Sequence, residues 1–401
     1  MSRKNVFNMS MPEKTTAIPQ KTNPSQISEL PAVFVDSSMI SDPSLLEVAA
    51  KLAAKERLDA SDGMALMTTG DLLGLGAMAD AVRRVLRGKK AYYVLNRHIN
   101  YSNVCVNHCV FCAYWRAPKQ DGAFCLSPED AAQKAAEEPG LDISELHVVG
   151  GCHPDLSFEY YLELLRALKK ARPKATLKAF TAVEIAHFAE ISGKSPEQVL
   201  LELKRAGLGS MPGGGAEIFA PRVRRELCPR KADAKTWLKV AGMAHNLAIP
   251  TNATMLYGHI ETPEERVDHI LRLREQQDIS GGFTAFIPLA FHPGNTGLKA
   301  SSWGTTGMDD LRVIAASRLL LDNIPHIKAY WVMLGPKLAQ VALNFGADDL
   351  DGTIVEERIT HMAGAQTAVG LTEEALRGMI KAGGFEPVRR DSFYNSLEDV
   401  K

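Results

Sequence analysis

From about residue 92 onward, short apolar runs alternate with segments of helical period, and this alternation restricts the chain to a parallel α/β architecture. The apolar runs are Tyr92–Val104, Leu146–Val149, Thr176–Phe180, Leu208–Met211, Thr251–Leu256, Phe283–Leu289, Lys328–Met333 and, less marked, Val341–Phe345. Most intervals between them leave room for a crossover helix, which parallel pairing requires. Three helix starts repeat one pattern: Ser127-Pro128-Glu129, Ser195-Pro196-Glu197 and Thr262-Pro263-Glu264. Each supplies a capping hydroxyl, a proline at the first helical position and an acid at the positive end of the helix dipole. Thr262 and Glu265 also have capping-box spacing. After Ser157, residues Phe158, Tyr161, Leu162, Leu165 and Leu168 share one helical face, and Pro173 ends the run. Seven or eight such units predict closure into a barrel, for which about 250 residues suffice. A doubly wound open sheet is the alternative. The reading divides the chain into a flexible tail over 1–35, a helical extension over 36–91, the barrel over 92–360 and a C-terminal helical extension over 361–401.

Charge and composition narrow the function. With 46 basic and 47 acidic residues the formal charge is -1, which argues against nucleic acid as the main partner. Hydrophobic residues at 45% and charged residues at 23% are those of a globular protein and exclude wholesale disorder. No long apolar run of membrane-spanning length occurs, and the first residues lack the apolar core of a secretory signal. A cytoplasmic location is therefore expected.

Six cysteines occur, and Cys105, Cys109 and Cys112 fall together in NVCVNHCVFCAYW with C-x3-C-x2-C spacing. Clustered cysteines in such a chain read as metal ligands rather than disulfides. A structural zinc site normally closes with four ligands, often as two C-x2-C knuckles, and no second knuckle is present. Three thiolates on a four-iron cluster leave one iron open to a substrate or cofactor. The alternative is a non-catalytic binding protein stabilised by zinc, its site completed by His108 or Cys125.

The cysteine spacing, with Phe111 as the aromatic before Cys112, resembles the radical S-adenosylmethionine (radical SAM) enzymes. The resemblance implies a (β/α) TIM-type barrel, partial or complete, with flanking N- and C-terminal helices. It implies a 4Fe-4S cluster held by Cys105, Cys109 and Cys112, with S-adenosyl-L-methionine as co-substrate. On the family pattern the open iron chelates the methionine end, and one electron releases a 5′-deoxyadenosyl radical. Gly150-Gly151, in LHVVGGCHPD, resembles the family's GG motif for the methionine amino group; the plain alternative is a βα turn. Thr181 and Glu184, in KAFTAVEI, stand where the family binds ribose or the sulfonium end, although Glu184 could instead cap the next helix. In SMPGGGAEIF the glycines read as backbone clearance beside a bulky ligand, with Ser210 and Glu217 offering polar atoms.

Longer strings, among them LNRHINYSN, PGGGAEIF, TNATMLYGHIETPEERVDHILRLREQQD and GGFTAFIPLAFHPGNT, resemble the menaquinone-pathway branch of that family, and the aminofutalosine synthases within it. They span roughly residues 92–360. The implied reaction is addition of the adenosyl radical to 3-[(1-carboxyvinyl)oxy]benzoate, followed by rearrangement and decarboxylation. An electron donor such as flavodoxin or ferredoxin is the implied protein partner. The dehypoxanthine futalosine cyclase, which abstracts hydrogen, is the alternative within the branch. The two substrate carboxylates need fixed donors, for which His153, His259 and His292 are candidates together with nearby arginines. The alternatives are a hydrogen-bonded structural role for His259 and a Pro-Gly turn for His292. The basic stretch Arg222, Arg224, Arg225, Arg230 and Lys231 reads as a solvated face from which one arginine could reach inward as an anion clamp.

Overall fold

The helix starts form as their sequences dictate. In the computed structural model, which describes residues 32–298, 304–355 and 358–397, Ser127, Ser195 and Thr262 each accept a backbone N–H in a reciprocal capping box, with proline at the first helical position. Such a cap contributes about 1 kcal/mol. Ser157 occupies the capping position of the helix Phe158–Ala171 without a side-chain bond, so packing of its buried apolar face holds that helix in place. The expected tail falls almost entirely on residues 1–31, outside the described residues.

Ten strands are described: β1 (Lys90–Val94), β2 (Asn96–Asn100), β3 (Glu145–Val149), β4 (Thr176–Ala179), β5 (Leu208–Ser210), β6 (Thr251–Tyr257), β7 (Phe283–Ala290), β8 (His326–Ile327), β9 (Asp349–Gly352) and β10 (Glu386–Arg390). β2-β3-β4-β5 and β6-β7-β8 form two parallel ladders. Parallel bridges join them: Met211 to Thr251, Lys328 to Asp349, and Val355 back to Arg97. The eight strands β2 to β9 therefore close into a ring with helices in the connections, a complete (β/α) barrel. β1 pairs in parallel with both β9 and β10.

Three features differ from the sequence expectation. The run Tyr92–Val104 is two strands parted at Leu95, after which the chain leaves the sheet. Of Lys328–Met333, the end is the helical turn Trp331–Leu334, and Val341–Phe345 is helical as well. The strand that completes the ring is β9, whose sequence DLDG has no apolar run to mark it. It is buried because its acids are paired: Arg390 Nε lies 2.6 Å from Asp349, and Lys328 Nζ lies 3.1 Å from Asp351. Beside the helix Glu373–Ala382, the C-terminal segment contributes a strand, β10.

The N-terminal helix Leu72–Arg87 packs on Gly307–Leu320 outside the barrel. No helix among the described residues is long and apolar enough to cross a membrane.

Candidate active site

The loop after β2 carries the three clustered cysteines, and its fold is held by its own backbone. Leu126 N–H donates to Tyr101 O at 2.8 Å, Cys105 N–H to Arg116 O at 3.2 Å, and Cys112 N–H to Cys109 O at 3.1 Å. The Asn103 side chain accepts from Phe124 N–H at 2.8 Å and donates to Gly122 O at 2.9 Å. Val106 N–H reaches Cys152 O, so the loop leans on the turn after β3. All three cysteines line one cavity of about 340 Å3 at the C-terminal mouth of the barrel, within the usual size range of ligand sites.

The glycine pair after β3 is required by close packing. A Cβ on Gly150 would lie 2.6 Å from the Tyr101 ring, and one on Gly151 would lie 2.2 Å from Val104 O. These two residues therefore allow the cysteine loop to sit against the strand end. Glu184 ties the arrangement together. One carboxylate oxygen accepts from Tyr101 Oη at 2.8 Å and Gly150 N–H at 3.2 Å. The other accepts from Thr181 N–H at 2.7 Å, within the capping box of the helix Ala182–Ser192. Burial pushes the Glu184 carboxyl up to about 7, against these hydrogen bonds.

The thiols differ in electrostatic environment. The Cys152 thiol donates to Cys105 and holds it down to about 5. Burial pushes Cys109 up to about 12 and raises Cys112. Lys231 is half-buried here, 2.6 Å from Glu217 and 5.2 Å from the centroid of the Phe111 ring. Burial opposes its charge, but Cys109, Glu217 and Cys228 hold its pKa well above that of an ordinary lysine. A fixed cation beside the cysteines favours thiolate and offsets negative charge on anything they bind.

Of the residues singled out from sequence, Cys105, Cys109, Cys112, Phe111, Gly150, Gly151, Thr181, Glu184 and His292 line the cavity. His153, His259 and Ser210 are not among its lining residues. His153 Nδ1 accepts from Asp155 N–H, and its carbonyl binds the His187 ring. The His259 ring is held between Leu256 O and Glu261, 2.9 and 2.8 Å away. Ser210 Oγ is buried with no hydrogen-bond partner. His292 Nε2 lies 3.1 Å from Met333 O. In the basic stretch, Arg222 pairs with Glu265, whereas Arg224 is buried on the carbonyls of Ala216 and Ala232. Of this stretch it is Lys231, and not an arginine, that lines the cavity. The glycine run serves backbone packing: a Cβ on Gly213 would lie 2.7 Å from Asn252 O, and one on Gly215 2.4 Å from Val183.

Sequence reasoning missed the polar interior of the barrel: His98, His147, Lys178, Lys328 and Asp351 also line the cavity. They lie singly on separate strands, and only the strand register brings them together. Polar residues inside otherwise apolar strands were the available signal.

Two family models cover most of the chain: the radical SAM superfamily over residues 99–273, and the CofH/MqnC C-terminal region over 280–401. An aminodeoxyfutalosine synthase of Thermus thermophilus is 48% identical over 364 residues, covering 89% of this chain and 97% of that protein. The chain belongs to the radical SAM superfamily. A second aminodeoxyfutalosine synthase, from Streptomyces coelicolor, is 44% identical over 88% of this chain and 94% of that protein. A 5-amino-6-(D-ribitylamino)uracil–L-tyrosine 4-hydroxyphenyl transferase of Methanopyrus kandleri is 43% identical over 80% of this chain and 88% of that protein. Among solved structures, the hydrogenase maturase HydG of Carboxydothermus hydrogenoformans aligns with a TM-score of 0.69 at 16% identity, covering 88% of this chain and 80% of that one. Methylornithine synthase aligns at 0.65 and 17%, covering 85% and 97%. These two share the fold.

This radical SAM protein is an enzyme that transfers a group, and its cofactors are a 4Fe-4S cluster and S-adenosyl-L-methionine. The donor set fits the cluster. Three thiols from one loop line one cavity, with the half-buried Lys231 ammonium beside them. No three His, Cys, Asp or Glu among the described residues are arranged to hold a single metal ion. A four-iron cluster instead spreads its thiolates over separate iron corners. Membership of the radical SAM superfamily stands against the zinc alternative, and its two completing residues meet other groups. His108 stacks on Trp115 and meets Arg230, while Cys125 is exposed beside Tyr160.

Proposed function

We propose that this radical SAM enzyme is an aminodeoxyfutalosine synthase of menaquinone biosynthesis. It transfers the 5′-deoxyadenosyl group of S-adenosylmethionine to 3-[(1-carboxyvinyl)oxy]benzoate, with rearrangement and decarboxylation, to give 6-amino-6-deoxyfutalosine. The observation that carries the reading is the 48% identity along nearly the whole Thermus enzyme. The cavity supports it: thiols at the mouth, apolar walls that include Ile287, Leu289 and Phe291, and charged side chains below suit an aromatic dianion.

When bound, the cluster supplies the electron that opens the sulfonium to the adenosyl radical. Cys105, Cys109 and Cys112 would hold three of its irons. Phe111 packs beside them, and the Lys231 ammonium over its ring would offset negative charge. Gly150, Gly151 and Thr181 offer backbone and hydroxyl groups to the amino acid and ribose ends. Glu184 acts through its neighbours: by binding Gly150 N–H, Tyr101 and Thr181 N–H it positions the mouth. The apolar walls keep water from a carbon radical and hold the alkene near contact distance, about 3–3.5 Å. His292 is the one histidine of the original three that stands where substrate would lie. An electron donor of the flavodoxin or ferredoxin class and a cytoplasmic location belong to the same reading.

Anaerobically reconstituted, reduced enzyme given both substrates tests it by liquid chromatography and mass spectrometry. An adenosyl adduct with loss of carbon dioxide is expected. Free 5′-deoxyadenosine without adduct refutes the reading and points to hydrogen abstraction, as in the futalosine cyclase. The archaeal relatives favour a second reading, transfer of a 4-hydroxyphenyl group from tyrosine to an aminouracil. That reading requires the same enzyme to join those two compounds.

A further inference from the structure

Below the mouth, the cavity carries charge that the chemistry at the cysteines does not use. His98, His147 and Lys178 are register partners on β2, β3 and β4. Gly150 and Thr181 lie three residues further along the chain from His147 and Lys178, so this row sits roughly 10 Å below the mouth at about 3.3 Å per residue. Lys328 enters the cavity from the end of β8, and Asp351 from β9.

Lys178 and Lys328 are only 2% and 1% exposed. Lys178 Nζ donates to Glu145 at 2.6 Å, and Lys328 Nζ to Asp351 at 3.1 Å. An ammonium has three donors, and among the described residues each lysine gives one of them to a carboxylate, so both have N–H groups to offer beside a cavity that is otherwise largely apolar. Buried donors left unmet are costly, and a ligand that accepts from them is favoured. The charge that faces the cavity has a sign. Glu145 stands behind Lys178 and also accepts from Ser392 Oγ at 2.7 Å, while Asp349 is taken by Arg390. Neither acid lines the cavity, and burial keeps His147 neutral. At this depth two lysines face the cavity against the single carboxylate of Asp351, while Glu184, Glu217 and Lys231 line it at the mouth; burial lowers the Lys178 pKa and Glu145 beside it opposes that shift.

We propose that Lys178 and Lys328 form a carboxylate subsite that grips the ring carboxylate of the aromatic substrate and sets the depth at which the vinyl carbon meets the adenosyl group. This rests on the reading given under Proposed function. The orientation follows from the reaction. The vinyl carbon must reach the mouth, and its own carboxylate is the one that leaves. The ring carboxylate lies at the other end of the molecule and survives into product, so a deep, permanent anchor suits it.

Two paired substitutions remove the lysines without stranding a buried acid: Glu145→Gln with Lys178→Met, and Lys328→Met with Asp351→Asn. Affinity is measured by anaerobic equilibrium dialysis on reconstituted, unreduced enzyme, with cluster content and circular dichroism matched to wild type. The ligands are carboxyvinyloxybenzoate and 2-phenoxyacrylate, which lacks the ring carboxylate. Each pair should weaken carboxyvinyloxybenzoate roughly ten- to hundredfold and change 2-phenoxyacrylate by less than about twofold. Equal loss for both ligands, or no loss for either, in a folded pair overturns the subsite. Wild-type enzyme that forms no adduct from carboxyvinyloxybenzoate overturns the functional reading and the subsite with it. Adduct formation by wild type together with unaltered binding by the pairs overturns the subsite alone.

Discussion

The mouth of the barrel and its interior are built by different means. At the mouth, thiols, glycines and a capping box lie close together in sequence, and short-range backbone hydrogen bonds fix the loop that carries the cysteines. Inside, single polar residues arrive from β2, β3, β4, the end of β8 and β9, and nothing but barrel closure places them together. The mouth should thus lose function through loss of one ligand or one backbone fit. The interior should lose affinity by steps, since its charges come in pairs that can be removed together.

The sharpest way to break this comparison is at the cysteines. Cys109→Ala should abolish cluster-dependent cleavage of S-adenosylmethionine and bleach the absorption near the usual iron–sulfur band, whereas Cys125→Ala should retain both; equal loss would remove the ligand assignment. A somewhat smaller effect is expected at the glycine pair. Gly151→Ala drives a methyl into Val104 O, which a Cβ would approach to 2.2 Å. It should cost about 1–3 kcal/mol of stability as overpacking and weaken S-adenosylmethionine binding. Unchanged unfolding and unchanged binding would show that the loop yields freely.

Glu184 offers a test by pH. Its folded pKa, about 7, is above the ordinary carboxyl value of 4.5 because the carboxylate is buried. Its favourable contribution is therefore full below about pH 4.5 and is lost as the pH rises through 7. Wild-type protein should lose on the order of a few kcal/mol between those limits from this group. Glu184→Gln should flatten that part of the profile, as read by chemical unfolding at pH 5 and pH 8. A profile of the same slope in the variant would assign the loss to another group. The smallest effect on activity is expected at His259, which lies outside the cavity. His259→Gln should leave turnover within about twofold while costing about 1–3 kcal/mol, because Glu261 loses a buried partner. A large fall in turnover with intact stability would bring His259 back into the reaction.

The strand runs from Leu146–Val149 to Phe283–Leu289 and the three proline-marked helix starts were legible because apolar period and capping chemistry are local signals. β9 and β10 were not, since DLDG is buried through ion pairs, and EPVRR, of which only Arg390 is buried, is held by addition to β1 rather than by its own hydrophobicity. At the site the same division holds. The C-x3-C-x2-C loop and the glycine pair could be read directly, and so could the two possible uses of Glu184, of which the structure shows the cap. The histidines could not be ranked, because a strand's alternation does not say which neighbour will satisfy a ring. His259 found Glu261 within its own turn, whereas His292 remained on the cavity wall.

By itself, then, the order of residues determined the parallel α/β plan, the helix boundaries and the thiol loop, each set by interactions within a few residues of chain. Only the closed barrel decided which buried polar groups share a space. Lys178 and Lys328 are 150 residues apart in sequence, and they face one cavity because eight strands complete a ring whose register carries both to its interior.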